Sequence, residues 1–446
     1  MQRHSAARLI AYAAPAIPIA ALGIPLAVYL PNFYAGPMGL GLASVGTIFM
    51  VARLWDVIVD PLLGVMSDRF PTRWGRRRHW MVLSVPILLV SSYYVFLPTP
   101  PVSRGYLLAG LFGLYLGYTM ILLAHMSWGA ELDDDYNERS RIQAYREALS
   151  TLGVPLVLML PAIIEKLGGA HVETARVAAM GWFVIAMLPL AVLIAVTSVG
   201  ERGSRPQAKL SLRNALAPLA NNRALQLVVA ADLASGFSLS AQGAMFIYEA
   251  SSYWRVGQYA SLLLLLYFFA GVGFIPIVLR LSYRFGKHQT LIGAALFNVL
   301  FAPAPLLVPT GNALFASVGM VFLGLNVGSL TVLYRSMMAD VGDYDEVHTG
   351  QRRTGLFYAL LTFSAKVGSA LAIGCVYWAL AAIGFNPTGI NTAETIRGLN
   401  LIFMAVPFVC NLAVVMIMRN FPIGISEQQE LRKILDERPP RLDLAV

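Results

Sequence analysis

The chain has 446 residues, of which 57% are hydrophobic and 13% charged, against roughly 25% charged residues in soluble proteins. That balance excludes a soluble enzyme and points to a polytopic membrane protein. The net charge of +9 does not mark a nucleic-acid binder, because the basic residues gather in alternate loops, as the positive-inside rule describes. Cys375 and Cys410 both fall in apolar spans, so neither a disulfide framework nor a zinc site is indicated.

Continuous rather than alternating apolar runs select helices over a barrel. The run after Arg8 continues through Tyr29, too long for a signal peptide, and reads as a first span. Twelve spans are predicted, near 9–34, 43–67, 79–98, 105–128, 143–165, 175–198, 225–249, 256–280, 288–309, 312–337, 354–384 and 396–419. Arginines and lysines cluster in loops 68–79, 132–142, 281–287 and 339–353 and in the 200–224 segment, whereas 35–42 and 310–311 are bare. Both termini are therefore expected in the cytoplasm, with the chain in the inner membrane of a bacterium. The basic, proline-containing 200–224 segment predicts a linker between a six-helix bundle over 1–199 and a second over 225–420, followed by a cytoplasmic tail over 421–446. Asp135-Tyr136-Asn137-Glu138 after the fourth span is echoed by Asp343-Tyr344-Asp345-Glu346 after the tenth, about half the chain later. Parallel six-span repeats of this kind build the major facilitator fold, with binding near the midplane.

In the second span Arg53, Asp56 and Asp60 stand at i, i+3 and i+7 and share one helical face. At about 1.5 Å per residue Asp56 lies roughly 16 Å from a helix exit at Ser67, near the middle of a hydrocarbon core of roughly 30 Å. A charge there costs about 2.5–3.5 kcal/mol on insertion scales, so the carboxylates must meet a cation, a basic side chain, a proton or water. Two readings are open from these residues alone: an ion pathway, or a static salt-bridge cluster that pins helices. Asp68 and Arg69, before Gly75-Arg76-Arg77-Arg78, suggest a cytoplasmic latch. Glu131, Asp135, Glu138 and Arg141 in one half, and Asp340, Asp343 and Arg353 in the other, suggest a gate of weak pairs that break and re-form. Lys366, a dozen residues into the eleventh span, needs a partner at its depth, and Asp56 and Asp60 are the carboxylates of the other half at that level. Asp232 lies close to the start of its span. No G-x-x-x-x-G-K-[ST] loop occurs, so ATP does not drive this chain.

The run from Arg53 through Asp56, Asp60, Pro61, Gly64, Asp68 and Arg69 to Arg76-Arg77-Arg78 resembles the glycoside–pentoside–hexuronide:cation symporters. So do Glu131 to Arg146, and Asp340 through Arg353 to Lys366-x-Gly368-Ser369-Ala370. The resemblance implies a secondary symporter of the major facilitator superfamily, in which Asp56 and Asp60 occupy the cation-coordinating positions. Arg53, Arg146 and Lys366 fall among the charged residues of the cavity and gate. The chain departs from the family pattern in three places. Val59 replaces an asparagine, Ile121 and Leu122 stand where a span-four aspartate is used, and residues 9–34 carry no charge. With oxygen ligands missing, a proton is the expected coupled ion and sodium at Asp56 and Asp60 the alternative. Candidate substrate-cavity groups are Tyr29, Asn32, Tyr118, His125 and Asn326, with Tyr12, Gln242 and Tyr334. A monomer in the lipid bilayer is expected, with a small-molecule substrate, a coupled cation and no cofactor. The substrate is expected to be a sugar, glycoside or hexuronide. The alternatives are an amphipathic, lysolipid-like substrate, or a non-transporting assembly factor or sensor on the same fold.

Overall fold

The computed structural model describes residues 4–69, 72, 74–133, 135–168, 172–201, 222–350 and 353–437, apart from the side chains of residues 68, 69, 136 and 137. Among them the regular elements are helical, and the one β-type pairing is an isolated bridge between Thr72 and Gly75. The first half holds α1 (Ala6–Ala35), α2 (Leu42–Arg69), α3 (Arg78–Phe96), α4 (Arg104–Glu131), α5 (Tyr136–Leu167) and α6 (Val172–Ser198). The second holds α7 (Arg223–Tyr253), α8 (Ala260–Phe285), α9 (Lys287–Phe301), α10 (Ala313–Thr349), α11 (Thr354–Ala382) and α12 (Ala393–Met418). A short amphipathic helix, α13 (Ile425–Asp436), follows.

Eleven of these helices are long and apolar enough to cross a membrane. The twelfth, α9, is 15 residues long, about 22 Å at 1.5 Å per residue. The predicted span 288–309 is cut short by Pro303 and Pro305, which cannot donate to a helical ladder. The chain there passes into a 3₁₀ turn at Ala304–Leu307, held by the Trp254 indole N–H donating to the Pro305 carbonyl at 3.3 Å.

Helix pairings repeat between the halves. α1 packs on α5 and α6 as α7 packs on α11 and α12, α2 lies on α4 as α8 lies on α10, and α3 touches α6 as α9 touches α12. The two expected acidic loops are largely helical, because both neighbouring helices run beyond their apolar cores. Asp135 opens α5, whereas Asp343 and Glu346 sit inside the last turns of α10. The echoed motif therefore starts a helix in one half and finishes one in the other. Most of the expected 200–224 linker, residues 202–221, lies outside the described residues, and its last two residues open α7.

The halves meet unevenly. At the end away from the basic loops, one apolar core runs without a break from α1–α6 into the adjoining turns of α7, α8, α10, α11 and α12. At the basic end the second half has a separate core of its own, built around Leu225, Leu291, Met337 and Phe357. Gly46 and Gly374 let α2 and α11 touch at the closed end. A β-carbon on Gly46 would come within 2.7 Å of the Tyr377 side chain, and one on Gly374 within 2.7 Å of Met50. The apolar core thus joins the halves at the bare end and is divided at the basic end.

Candidate functional site: a charged cluster between the two halves

α2 carries Arg53, Asp56 and Asp60 because a long apolar run with three polar positions on one face buries that face against α4 and α11. The Lys366 ammonium, from α11 of the other half, lies 2.9 Å from Asp56 Oδ2 and 2.6 Å from Asp60 Oδ2. This is the pairing that its depth in the sequence called for. Thr119 of α4 supplies one hydroxyl to the remaining oxygens, at 2.6 Å from Asp56 Oδ1 and 3.0 Å from Asp60 Oδ1. Arg53 stands 3.7 Å from Asp56 Oδ2 and lies over the Tyr115 ring at 5.1 Å. Tyr118 is within electrostatic reach of Arg53, Asp56 and Asp60. With both acids ionised, two cations and two carboxylates cancel, which is what permits so many charges in a low-dielectric site. The two acids differ in access: the Asp56 side chain is fully buried and that of Asp60 is 24% exposed.

The other expected cavity residues are elsewhere. Tyr29 and Asn32 lie at the closed end. The Tyr29 hydroxyl is 2.6 Å from Ser261 Oγ, and Asn32 donates to the carbonyls of Val28 and Ala244. His125 and Tyr12 exchange hydrogen bonds with each other's backbone carbonyls, at 2.8 and 3.0 Å, and tie α4 to α1. This buried pair packs α4 against α1. Arg146 is held by Gln143 at 2.9 Å and Glu147 at 3.2 Å, away from the acids of α2. Asn326 enters an amide chain in the second half, discussed below.

The expected gate residues are paired within their own halves. Glu131 receives Arg76 at 2.6 Å and Arg77 at 2.8 Å. Asp135 accepts the Glu138 N–H at 3.0 Å, and Glu138 meets Arg141 at 3.2 Å. Asp340 binds Lys287 at 2.7 Å, Arg353 binds Asp345 at 3.0 Å, and Asp343 binds Arg432 of α13 at 3.0 Å. None of these pairs crosses between the halves. Each braces a loop end within its own half. Asp68 and Arg69 end α2, and their side chains lie outside the described residues.

Several partners carried no signal in the sequence. Thr119 is one threonine in an apolar helix, where self-capping is the ordinary expectation. Glu201 accepts the backbone N–H groups of Arg76, Arg77 and Arg78 at 2.6, 2.9 and 3.2 Å. Gly75 is required there, because its φ of +114° and the adjacent carboxylate exclude a side chain. At the closed end Glu165 of α5 accepts the Ser261 N–H at 3.0 Å and its hydroxyl at 2.7 Å, while Arg176 holds the same carboxylate at 2.8 Å. A buried acid at a span end with a basic residue just across the next loop was the available clue.

A family profile described as MFS/sugar transport protein matches residues 11–424. The chain belongs to that family. It is 25% identical over 403 residues to an isoprimeverose transporter of Lactiplantibacillus pentosus, covering 86% of this chain and 82% of that one. It is also 25% identical over 421 residues to a glucuronide carrier protein homolog of Escherichia coli K12, covering 92% and 91%. The fold resembles the crystal structure of the nucleoside transporter NupG, with a TM-score of 0.68 and 14% identity, over 94% of this chain and 100% of that one. The resemblance to glycoside–pentoside–hexuronide symporters is thereby borne out, as is the expected major facilitator architecture. This chain is a multi-pass membrane transporter of the sugar-transport family and not an enzyme.

Proposed function

We propose that the protein is a proton-coupled symporter that moves a sugar or glycoside across the cytoplasmic membrane by alternating access, with the basic end and both termini in the cytoplasm. The observation that carries this reading is the contact of one lysine from the second half with two carboxylates of the first. A tie between the halves that is itself made of titratable groups links ion occupancy to the opening and closing of the protein. Protonation of Asp60, the more accessible acid, removes one of the two anions holding Lys366 and loosens the tie. Deprotonation restores it.

The ligand set favours a proton over sodium. Hard cations collect several oxygen ligands, and here Val59 and Ile121 are buried apolar residues while Lys366 takes the space between the acids. The apolar core that is continuous at one end and split at the other corresponds, in this orientation, to a state open to the cytoplasm. Sugars are favoured as cargo because the family and the relatives named for isoprimeverose and glucuronide transport share the whole length of the chain. The test is uptake of isoprimeverose and methyl glucuronide into proteoliposomes under an imposed pH gradient or an imposed sodium gradient. Accumulation with the pH gradient alone is expected; stimulation by sodium alone rules out the proton.

A further inference from the structure

Between α7, α8, α9, α10, α11 and α12 the second half lines a partly open cavity of about 150 Å³. With roughly 10–15 Å³ for each water on this scale, it has room for on the order of ten. Its lining is largely apolar, but several polar side chains on it keep hydrogen-bonding capacity that is uncommitted among the described residues. Asp232 accepts one bond, from Ser364 at 2.6 Å through Oδ2, and its other oxygen has no partner among the described residues. The side chains of Gln242, Tyr267 and Thr331 line the same space and make no hydrogen bond among the described residues. Behind them a chain of amides is fully oriented. Asn326 donates to Asn298 at 3.0 Å, Asn298 to Asn411 at 3.1 Å, and Asn411 to Ser238 at 3.3 Å. Tyr334 is fixed by Ser235 at 2.7 Å. The wall is rigid and the groups in front of it are free. Ala365, beside the Lys366 that joins the coupling cluster, forms part of the same wall.

We propose that this cavity is the sugar-binding site, and that Asp232, Gln242, Tyr267 and Thr331 hold a neutral polyhydroxylated ligand, an uncharged glycoside rather than a hexuronide. A carboxylate that keeps one free oxygen accepts ligand hydroxyls, and an amide and hydroxyls both donate and accept, which is the pattern a sugar ring needs. The same carboxylate repels an anionic sugar. Arg335 acts on Asp232 electrostatically, but no arginine or lysine lines the cavity to receive a second carboxylate. Two cations expected among the cavity and gate residues are engaged elsewhere: Lys366 with the α2 acids, and Arg146 with Gln143 and Glu147. This site would take the place of the carboxylates that the first half lacks in its first and fourth spans.

The inference rests on the transport reading, and binding and transport measurements separate the two. The purified full chain is melted with isoprimeverose, methyl β-xyloside or glucuronate. The neutral sugars are expected to raise the melting temperature of the wild type and glucuronate to leave it unchanged. Thr331→Phe fills the cavity without breaking a hydrogen bond, so it should melt like wild type alone yet bind the neutral sugars at least tenfold more weakly. Asp232→Asn, nearly isosteric, should weaken them as much. Undiminished stabilisation in both variants, stabilisation by glucuronate equal to that by the neutral sugars, or no response of the wild type to either neutral sugar overturns the assignment. If pH-driven uptake is lost in Asp56→Asn while Thr331→Phe binds normally, the site assignment alone fails. If the wild type binds sugar through these residues yet never accumulates it under a pH gradient, the coupling mechanism alone fails.

Discussion

In the first half the space between α1 and α4 is filled by Tyr12, His125 and Trp128, whose rings pack 4.8 and 5.6 Å apart around Tyr12. The corresponding space of the second half, between α7 and α10, is a cavity with free hydrogen-bonding groups. The charges are distributed in the opposite sense. The first half contributes Arg53, Asp56, Asp60 and Thr119 to the cluster at the interface, and among the described residues the second contributes Lys366. Two halves with matching helix pairings have thus taken up different chemistry. One carries titratable groups that answer to each other, and the other carries one carboxylate among neutral groups with hydrogen-bonding capacity to spare among the described residues. This contrast suggests that coupling and recognition are divided between the halves, and that α11 joins them by placing Ala365 at the cavity and Lys366 at the acids.

The division can be broken most forcefully at its joint. Asp56→Asn and Lys366→Ala should each lower concentrative uptake at least a hundredfold, because removing one partner leaves the other charge buried without compensation. Sugar counterflow, which needs no net ion movement, should survive in Asp56→Asn. Comparing the two assays in the same proteoliposomes checks this, and equal loss in both would make the acids structural. A second change acts on the cavity side alone. Asn326→Leu leaves Asn298 without a donor and should raise the KM for sugar about tenfold, while the pH dependence of uptake stays that of wild type. On the packed side the expectation reverses. His125→Ala should destabilise the protein by about 1–3 kcal/mol, the cost of leaving buried polar partners unmet, and so lower the melting temperature without changing KM.

Smaller effects are expected at the two ends. Glu165→Gln keeps an acceptor for Ser261 but loses the charge that holds Arg176. The closed end should open more often, and a cysteine introduced at Ser252 should be labelled several-fold faster by a membrane-impermeant maleimide. Arg432→Ala undocks one exposed contact of α13 and should change stability by less than about 1 kcal/mol, within the scatter of a melting experiment.

The sequence by itself determined that this is a helical membrane protein and that Asp56 and Asp60 lie too deep to be left alone. It did so because burial in a bilayer makes length, apolarity and charge placement nearly one-to-one with topology. It also placed Lys366 opposite Asp56 and Asp60, since depth along a helix is readable from residue count. Tertiary structure decided the rest. Whether a polar residue on an apolar helix is engaged or free depends on what the facing helix presents, and His125, Tyr29 and Asn32 turned out to be engaged while Gln242 and Thr331 make no hydrogen bond among the described residues. The gate pairs closed within each half for the same reason. A carboxylate and a guanidinium near one loop have several partners in reach, and only packing selects among them. Thr119 became part of the coupling site solely because α4 lies against α2, a contact that no local pattern encodes.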